Sequence, residues 1–464
     1  MISSQHPISA RWFLIVFLAL ACPAFAATWK EQVLYSFQGP PNDGFVPAGG
    51  VVFDKAGNLY GATTGGGPGS CFPISEECGL VFQLSPPTKK GDPWTENILY
   101  QFKGKTSNDA SVPAGGVILD ADGNVYGTTA YGGTGDCVLL GTSAGCGTVY
   151  ELSPPAKKGD PWTETLLYSF KSGNDGYFPW GALTFDGKGN LYGATQFGGG
   201  KGNTCNVFYG GNCGTVFVLS PPKQKGGQWT EKALHSFAGI ANGKQSGDGA
   251  NPNGGLVLDS KGAIYGTTLS GGYNCAYHSG HGCGTIFELK PPAKNGRMWS
   301  ETMLHRFVDG NDGASPQSGA VFDAKGYLYG TTIGTVFRLT PPSKKFGSWK
   351  KTRLFAFCTQ NQGGCEPEDS LIFDTSGRLY GTTYYGFGEE LYGSVFRLEP
   401  PRKNGAAWLI DYLYGFVNAP DGLYPAARLI FDQAGNLYST TTGGGQGTCS
   451  RYCGTVFEVS PPHQ

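Results

Sequence analysis

The chain has little charge of either sign and no excess to spend on a charged partner. Its 464 residues carry 34 Lys and Arg against 35 Asp and Glu, a formal net charge of −1. No basic stripe gathers anywhere. Nucleic-acid binding needs a positive footprint that displaces counterions, so that partner class is excluded. Beyond the N-terminus no apolar run is long enough to cross a bilayer, so no membrane span is expected in the mature chain. Histidine is scarce, at 6 residues, and serine-glycine pairs such as Ser270-Gly271 have no evident base beside them. Glycine, at 76, and proline, at 30, recur too often for long helices. With 24 Tyr and 29 Phe, this composition points to short strands, tight turns and aromatic packing.

What is present is repetition. A Gly-x-Leu/Val/Ile-Tyr tetrapeptide places tyrosines at Tyr60, Tyr126, Tyr192, Tyr265, Tyr329, Tyr380 and Tyr438. Each is followed by a Val/Ile-Phe/Tyr segment that ends in Pro-Pro, from Pro86-Pro87 to Pro461-Pro462. Such self-similarity marks an array, a solenoid or a propeller. One unit, read from Trp162, contains four strand-like runs separated by turn residues. Seven units of four strands predict an all-β, seven-bladed β-propeller over residues 27–464. The ends support closure. Trp29 to Phe37 is a lone copy of the outermost strand, and the last unit lacks one. The N-terminal strand is therefore expected to complete the last blade, leaving no unpaired edge.

Residues 1–26 read as a secretory signal. Arg11 supplies the positive flank, Trp12 to Ala21 the apolar segment, and Ala24-Phe25-Ala26 the cleavage site. Ala19-Leu20-Ala21-Cys22 loosely resembles a lipobox, which leaves lipidation at Cys22 open. The mature product is expected outside the cytoplasm, periplasmic or extracellular, and monomeric.

Twelve cysteines remain after cleavage, in close pairs: Cys71/Cys78, Cys137/Cys146, Cys205/Cys213, Cys275/Cys283, Cys358/Cys365 and Cys449/Cys453. Five pairs occupy the same place in the repeat, and units five and six lack that pair altogether. Cysteines that come and go in twos are partners, and export favours oxidation, so six local disulfides are expected. Structural zinc is the rival reading, short of ligands.

The string Phe-Asp-x-x-Gly-Asn-Leu-Tyr-Gly-Ala-Thr, followed by Gly-Thr-Val-Phe-x-Leu-Ser-Pro-Pro, resembles the GloVer-type tandem repeats of exported bacterial choice-of-anchor proteins. The likeness spans nearly all of residues 28–462. That family implies export but assigns no activity. A more distant likeness, to NHL-type and gluconolactonase-like propellers, implies that the Gly-x-Leu-x-Phe-Asp strand is innermost.

In an up-and-down propeller the cysteine loops and the inter-blade loops share one face, and a binding site is expected there, at the channel mouth. Asp43, Asp109, Asp175, Asp248, Asp312 and Asp421 fall in those loops. They read either as a ring that holds Ca2+ or another divalent cation or a sugar, or as turn formers bonding their own backbone. Trp180, Tyr131, Phe197, Tyr273, Tyr384 and Tyr385 read either as stacking platforms or as loop packing. His278 and His281 form either a metal pair or a solvated loop. Asp54, Asp120, Asp186, Asp259, Asp323, Asp374 and Asp432 recur in every unit and read as turn formers. The Glu366-Pro367-Glu368-Asp369 cluster and Glu389-Glu390 occur once each. No catalytic residue is assigned and no cofactor is required. The expected function is an exported binding module for a glycan or an envelope or extracellular protein. A hydrolase or lyase acting on a sugar or lactone, with a metal at the channel mouth, is the alternative.

Overall fold

A computed structural model describes residues 28–462, apart from 69–70, 72–77, 90, 140, 201–212, 225, 240–246, 274–281, 294–297, 345–346, 358–364, 387–391, 404, 418, 448 and 450–452. The predicted leader, His278, His281, Cys205, Cys275, Cys358 and Glu389-Glu390 lie outside the described residues. The chain forms seven antiparallel sheets arranged as a seven-bladed β-propeller. Blade 3 shows the plan. Its innermost strand, Tyr177–Pro179 with Thr184–Phe185, pairs with Leu191–Phe197, then Thr215–Ser220, then the outermost Thr230–Ser236. Among the described residues the only helical pieces are three short 3-10 turns, and no helix is long and apolar enough to cross a membrane.

The ring closes as expected. Lys30–Ser36 pairs antiparallel with Thr455–Ser460 and completes blade 7. An outermost strand and a third strand from opposite ends of the chain thus share one ladder, and no edge is left between the termini.

Every blade docks on the next through aromatic rings. The phenylalanine ending each outermost strand packs on an aromatic ring in the next blade's third strand. The pairs Phe102–Tyr150, Phe170–Phe217 and Phe237–Phe287 have centroids 5.1, 5.2 and 5.1 Å apart. Across the closure, Phe416–Phe457 and Phe37–Phe82 repeat the contact at 5.0 and 5.1 Å. Edge-on rings at this spacing add to what their burial contributes. The glycine of the Tyr strand makes room for the ring. A Cβ on Gly193 would lie 2.5 Å from the Phe217 ring.

The repeated aspartates hold the first turn of each blade. Asp186 accepts from the amides of Lys188 and Asn190 at 2.8 and 2.9 Å, from the Asn190 side chain at 2.7 Å, and from Tyr192 Oη at 3.4 Å. The corresponding tyrosine–aspartate contact recurs in all seven blades. The Asp-x-x-Gly-Asn-x-Tyr motif is therefore a self-contained turn.

Phe37 is fully buried although it lies only ten residues into the described chain. Phe37→Ala is expected to cost about 3–5 kcal/mol in chemical denaturation, as for any core phenylalanine. An unchanged midpoint would show that the closing strand lies outside the cooperative unit.

Candidate functional site

The disulfides lie at blade junctions. Cys71–Cys78, Cys137–Cys146 and Cys449–Cys453 are bonded, and Cys213, Cys283 and Cys365 are also in disulfides. The partners of those last three fall outside the described residues. Bonds of this kind persist in an oxidising compartment. The carbonyl of the second cysteine accepts an amide from the next blade: Val112 N to Cys78 O at 2.8 Å, Phe178 N to Cys146 O at 3.0 Å and Val46 N to Cys453 O at 3.0 Å. The glycine after the cysteine sits against the next proline. A Cβ on Gly79 (φ +87°) would meet Thr63 O at 2.4 Å and Pro113 Cδ at 2.7 Å. Cys-Gly of one blade thus latches onto X-Pro of the next.

X is left-handed in every blade: Val46, Val112, Phe178, Asn251, Ser315, Glu366 and Tyr424 all have φ between 50° and 64°. Such angles are costly for residues with a Cβ and persist only where the surroundings impose them. Seven equivalent strained positions carry varied side chains at the start of the innermost strands. The residue after each proline varies too. It is alanine in blades 1, 2 and 7 (Ala48, Ala114, Ala426) but Trp180, Asn253, Gln317 and Glu368 in blades 3 to 6. The disc is therefore asymmetric where its repeat is otherwise most regular.

Around Trp180 the chain builds an apolar cavity of about 220 Å³. Tyr131 and Phe197 line it with Trp180, so three of the sequence-predicted aromatics meet in one place. Tyr177, Phe178 and Gln196 complete the wall with the Cys137 loop, whose Val138 is 67% exposed. Phe178 stacks on Trp180 at 5.2 Å and 14°, and meets Tyr131 edge-on at 4.9 Å. Gln196 donates to Asn253 Oδ1, and Asn253 Nδ2 donates to Gln317 O at 3.2 Å. Aromatic wall and amide side chains are thus one continuous crescent across blades 2 to 5.

Blade 6 extends it with acid. Burial, reinforced by Glu366 and then Asp369, pushes Glu368 up to about 7. Burial also pushes Asp369 up to about 6, against the opposing effects of the Ser370 amide and Arg428. Tyr384 and Tyr385 stand nearby, packed on Tyr424. Tyr384 stacks on it at 4.8 Å and 17°. Tyr273 stands apart from both clusters at 39% exposure, its carbonyl accepting from the Cys283 amide.

The six loop aspartates occupy the blade seams, one per seam. Asp43 accepts from Tyr35 Oη at 3.0 Å and from the amides of Gln38 and Gly44 at 2.6 and 2.5 Å. Asp109, Asp175 and Asp421 are bound likewise by Tyr100, Tyr168 and Tyr414 at 3.0, 3.0 and 2.9 Å. In Asp248 and Asp312 the partner is a histidine, His235 or His305. The third member of each seam was not anticipated from the sequence. It is the residue two after each strand tryptophan: Glu96, Glu164, Glu231, Glu301, Lys351, Ile410 and Glu31. Tyr35 Oη reaches Glu96 as well as Asp43, at 2.9 Å. The signal was available, because Trp-x-Glu recurs in five units. Where it fails at Ile410, the same seam has Phe355 for tyrosine, and in sequence the aspartate position reads Gly363, which lies outside the described residues.

The spelling Gly-x-Ser-x-Gly occurs once, at Gly141 to Gly145. Ser143 there is exposed in a two-stranded hairpin with Val138–Leu139, which is not the strand-to-helix elbow of a serine hydrolase.

Fold and seams define a disulfide-latched, seven-bladed propeller with an asymmetric mouth. The chain belongs to the Gloeobacter/Verrucomicrobia repeat family, whose profile matches residues 24–209, 74–333 and 276–464. No curated protein matches it in sequence. Among solved structures it is similar to a luciferin-regenerating enzyme at 13% identity and a TM-score of 0.42, covering 77% of this chain and 94% of that one. It is also similar to a gluconolactonase from Xanthomonas campestris, at 14% identity and a TM-score of 0.37, covering 78% and 90%.

The seams make stability depend on pH. Burial, and then the neighbouring aspartate, push Glu31 up to about 8 and Glu164 and Glu231 up to about 7, from 4.5. Each binds its proton more tightly folded than unfolded. Their contribution is full below about pH 4.5 and is lost as pH rises through about 7 to 8. The melting temperature is expected to fall between pH 5 and pH 9, and Glu31→Gln with Glu164→Gln and Glu231→Gln to flatten that slope. A slope unchanged in the triple variant would place the titration elsewhere.

Proposed function

We propose that this protein is a binding propeller working outside the cytoplasm, in the periplasm or beyond the cell, and that its ligand is a glycan. The site is the crescent at the channel mouth. The observation that carries this reading is the cavity that gathers Tyr131, Phe178, Trp180 and Phe197 beside Gln196 and Asn253. Sugar rings present an apolar face bordered by hydroxyls. A stacked aromatic wall suits the first, and amide groups that both donate and accept suit the second. An envelope or extracellular protein that inserts an apolar side chain into the cavity is the other outcome of the test below.

An enzyme acting on a sugar or lactone has one observation in its favour. Glu368 and Asp369 sit beside the crescent with carboxyls raised toward neutrality, the range a general acid uses.

The mature protein is expected to retain a subset of glycans on an array. Trp180→Ala should weaken that binding at least about tenfold, the effect of removing one platform worth about 1.4 kcal/mol. Retention of envelope protein and no glycan would redirect the reading to a protein partner. Turnover of a bound glycan, abolished by Glu368→Gln, would favour the enzyme. Unchanged binding in Trp180→Ala removes the crescent as the site.

A further inference from the structure

The seam between blades 3 and 4 differs from the others in a way that creates a metal-ligand set. In four seams a tyrosine hydroxyl lies between the two blades and donates to the loop aspartate. Here the tyrosine is His235, on the outermost strand of blade 3, facing Asp248 from the loop and Glu301 from blade 4. One ligand atom from each of the three lies within 4.8 Å of the other two. His235 Nε2 and Asp248 Oδ2 are 3.3 Å apart. Ligands bound at about 2.0–2.2 Å in a tetrahedral site lie roughly 3.4 Å from one another, so small shifts bring all three onto one ion. The groups are also held in place. Asp248 Oδ1 is tied to the Ala238 amide at 2.8 Å, and the imidazole packs edge-on against Phe237 at 4.8 Å. Arg306 donates from Nε to Gly247 O at 3.0 Å, and its charge favours the carboxylate form of Glu301.

The neighbouring seam supplies the comparison. It has the same histidine and aspartate, His305 and Asp312, at 3.0 Å. The strand position occupied by Glu301 in blade 4, paired with Leu289, is occupied by Lys351 in blade 5, paired with Leu339. Lys351 Nζ lies 2.7 Å from Asp312 Oδ1, its side chain 7% exposed. That seam therefore seats a cation of its own beside histidine and aspartate. Replacing lysine by glutamate exchanges that cation for a further carboxylate ligand, and Arg306 stands where blade 5 has Ala356. A divalent cation held there would occupy the place that Lys351 Nζ fills in the neighbouring seam.

We propose that His235, Asp248 and Glu301 bind a divalent transition metal of the zinc class, with a remaining position open to solvent. One imidazole and two carboxylates suit Zn2+. Calcium requires six or more oxygen ligands and is not served by this set. Metal here bridges adjacent blades, because the ligands come from both.

The test uses the mature protein, stripped with chelator and titrated calorimetrically with Zn2+. One site per chain is expected from this seam. His235→Tyr copies the tyrosine seams and Glu301→Lys copies blade 5, so both retain a solution the fold already uses. Each should lose that site or weaken it at least tenfold, with the melting temperature of the metal-free protein retained. Lys351→Glu should add a second site. Equal Zn2+ binding by the parent and by His235→Tyr and Glu301→Lys overturns the proposal, as does a folded Lys351→Glu protein with no gained site.

Discussion

A single antiparallel ladder, Lys30–Ser36 against Thr455–Ser460, turns seven sheets into a ring. Without it, blade 7 would lack its outermost strand and present the polar edge of Thr455–Ser460 to solvent. The aromatic contact from blade 7 to blade 1 would go too, because Phe37 sits on that strand and packs on Phe82. The seventh seam depends on the same residues. Glu31 faces Asp421, and Tyr35 bonds Asp43 and Glu96. Closure is thus what makes all seven junctions equivalent.

Equivalent junctions let one solution be written seven times. Each uses an aromatic pair at its core and, in most, a latch between a glycine and the next proline and a polar triad. Blade 5, which lacks the cysteine loop, and the apolar seam of Phe355 and Ile410 show that members of a junction are lost in groups. A lone aspartate or a lone cysteine would leave an unpaired group in a half-buried place, and that penalty keeps the partners together. Such redundancy frees the inner strands to vary. Neither the X side chain nor the residue after the proline takes part in the glycine–proline latch itself. Their differences between blades produce the asymmetric mouth.

Much of this was legible in sequence. Period, strand count, closing strand and cysteine pairing follow from local spacing, and Trp180 and Glu368 stood out because they break a repeat. The loop aspartates were legible as recurring residues but ambiguous in role, since a carboxylate that binds ligand and one that binds its own backbone share the same Asp-Gly spelling. The seam glutamates escaped notice because four of them lie 53 to 56 residues from the aspartates they face, and Glu31 lies 390 residues from Asp421. Asn253, Gln317 and Gln196 look like ordinary polar loop residues until the blades are arranged in order around the axis.

Sequence alone determined the number of blades, the order of strands and which ends must meet. Those follow from periodic patterning and from the cost of leaving a sheet edge open. Tertiary structure decided which repeated residues are consumed in holding blades together and which remain available. That choice depends on contacts between neighbouring units, and no unit encodes its neighbour's side chains. The gathering of Trp180, Phe197 and Tyr131 around one cavity, and of His235, Asp248 and Glu301 at one seam, exists only after the ring has brought separate repeats side by side.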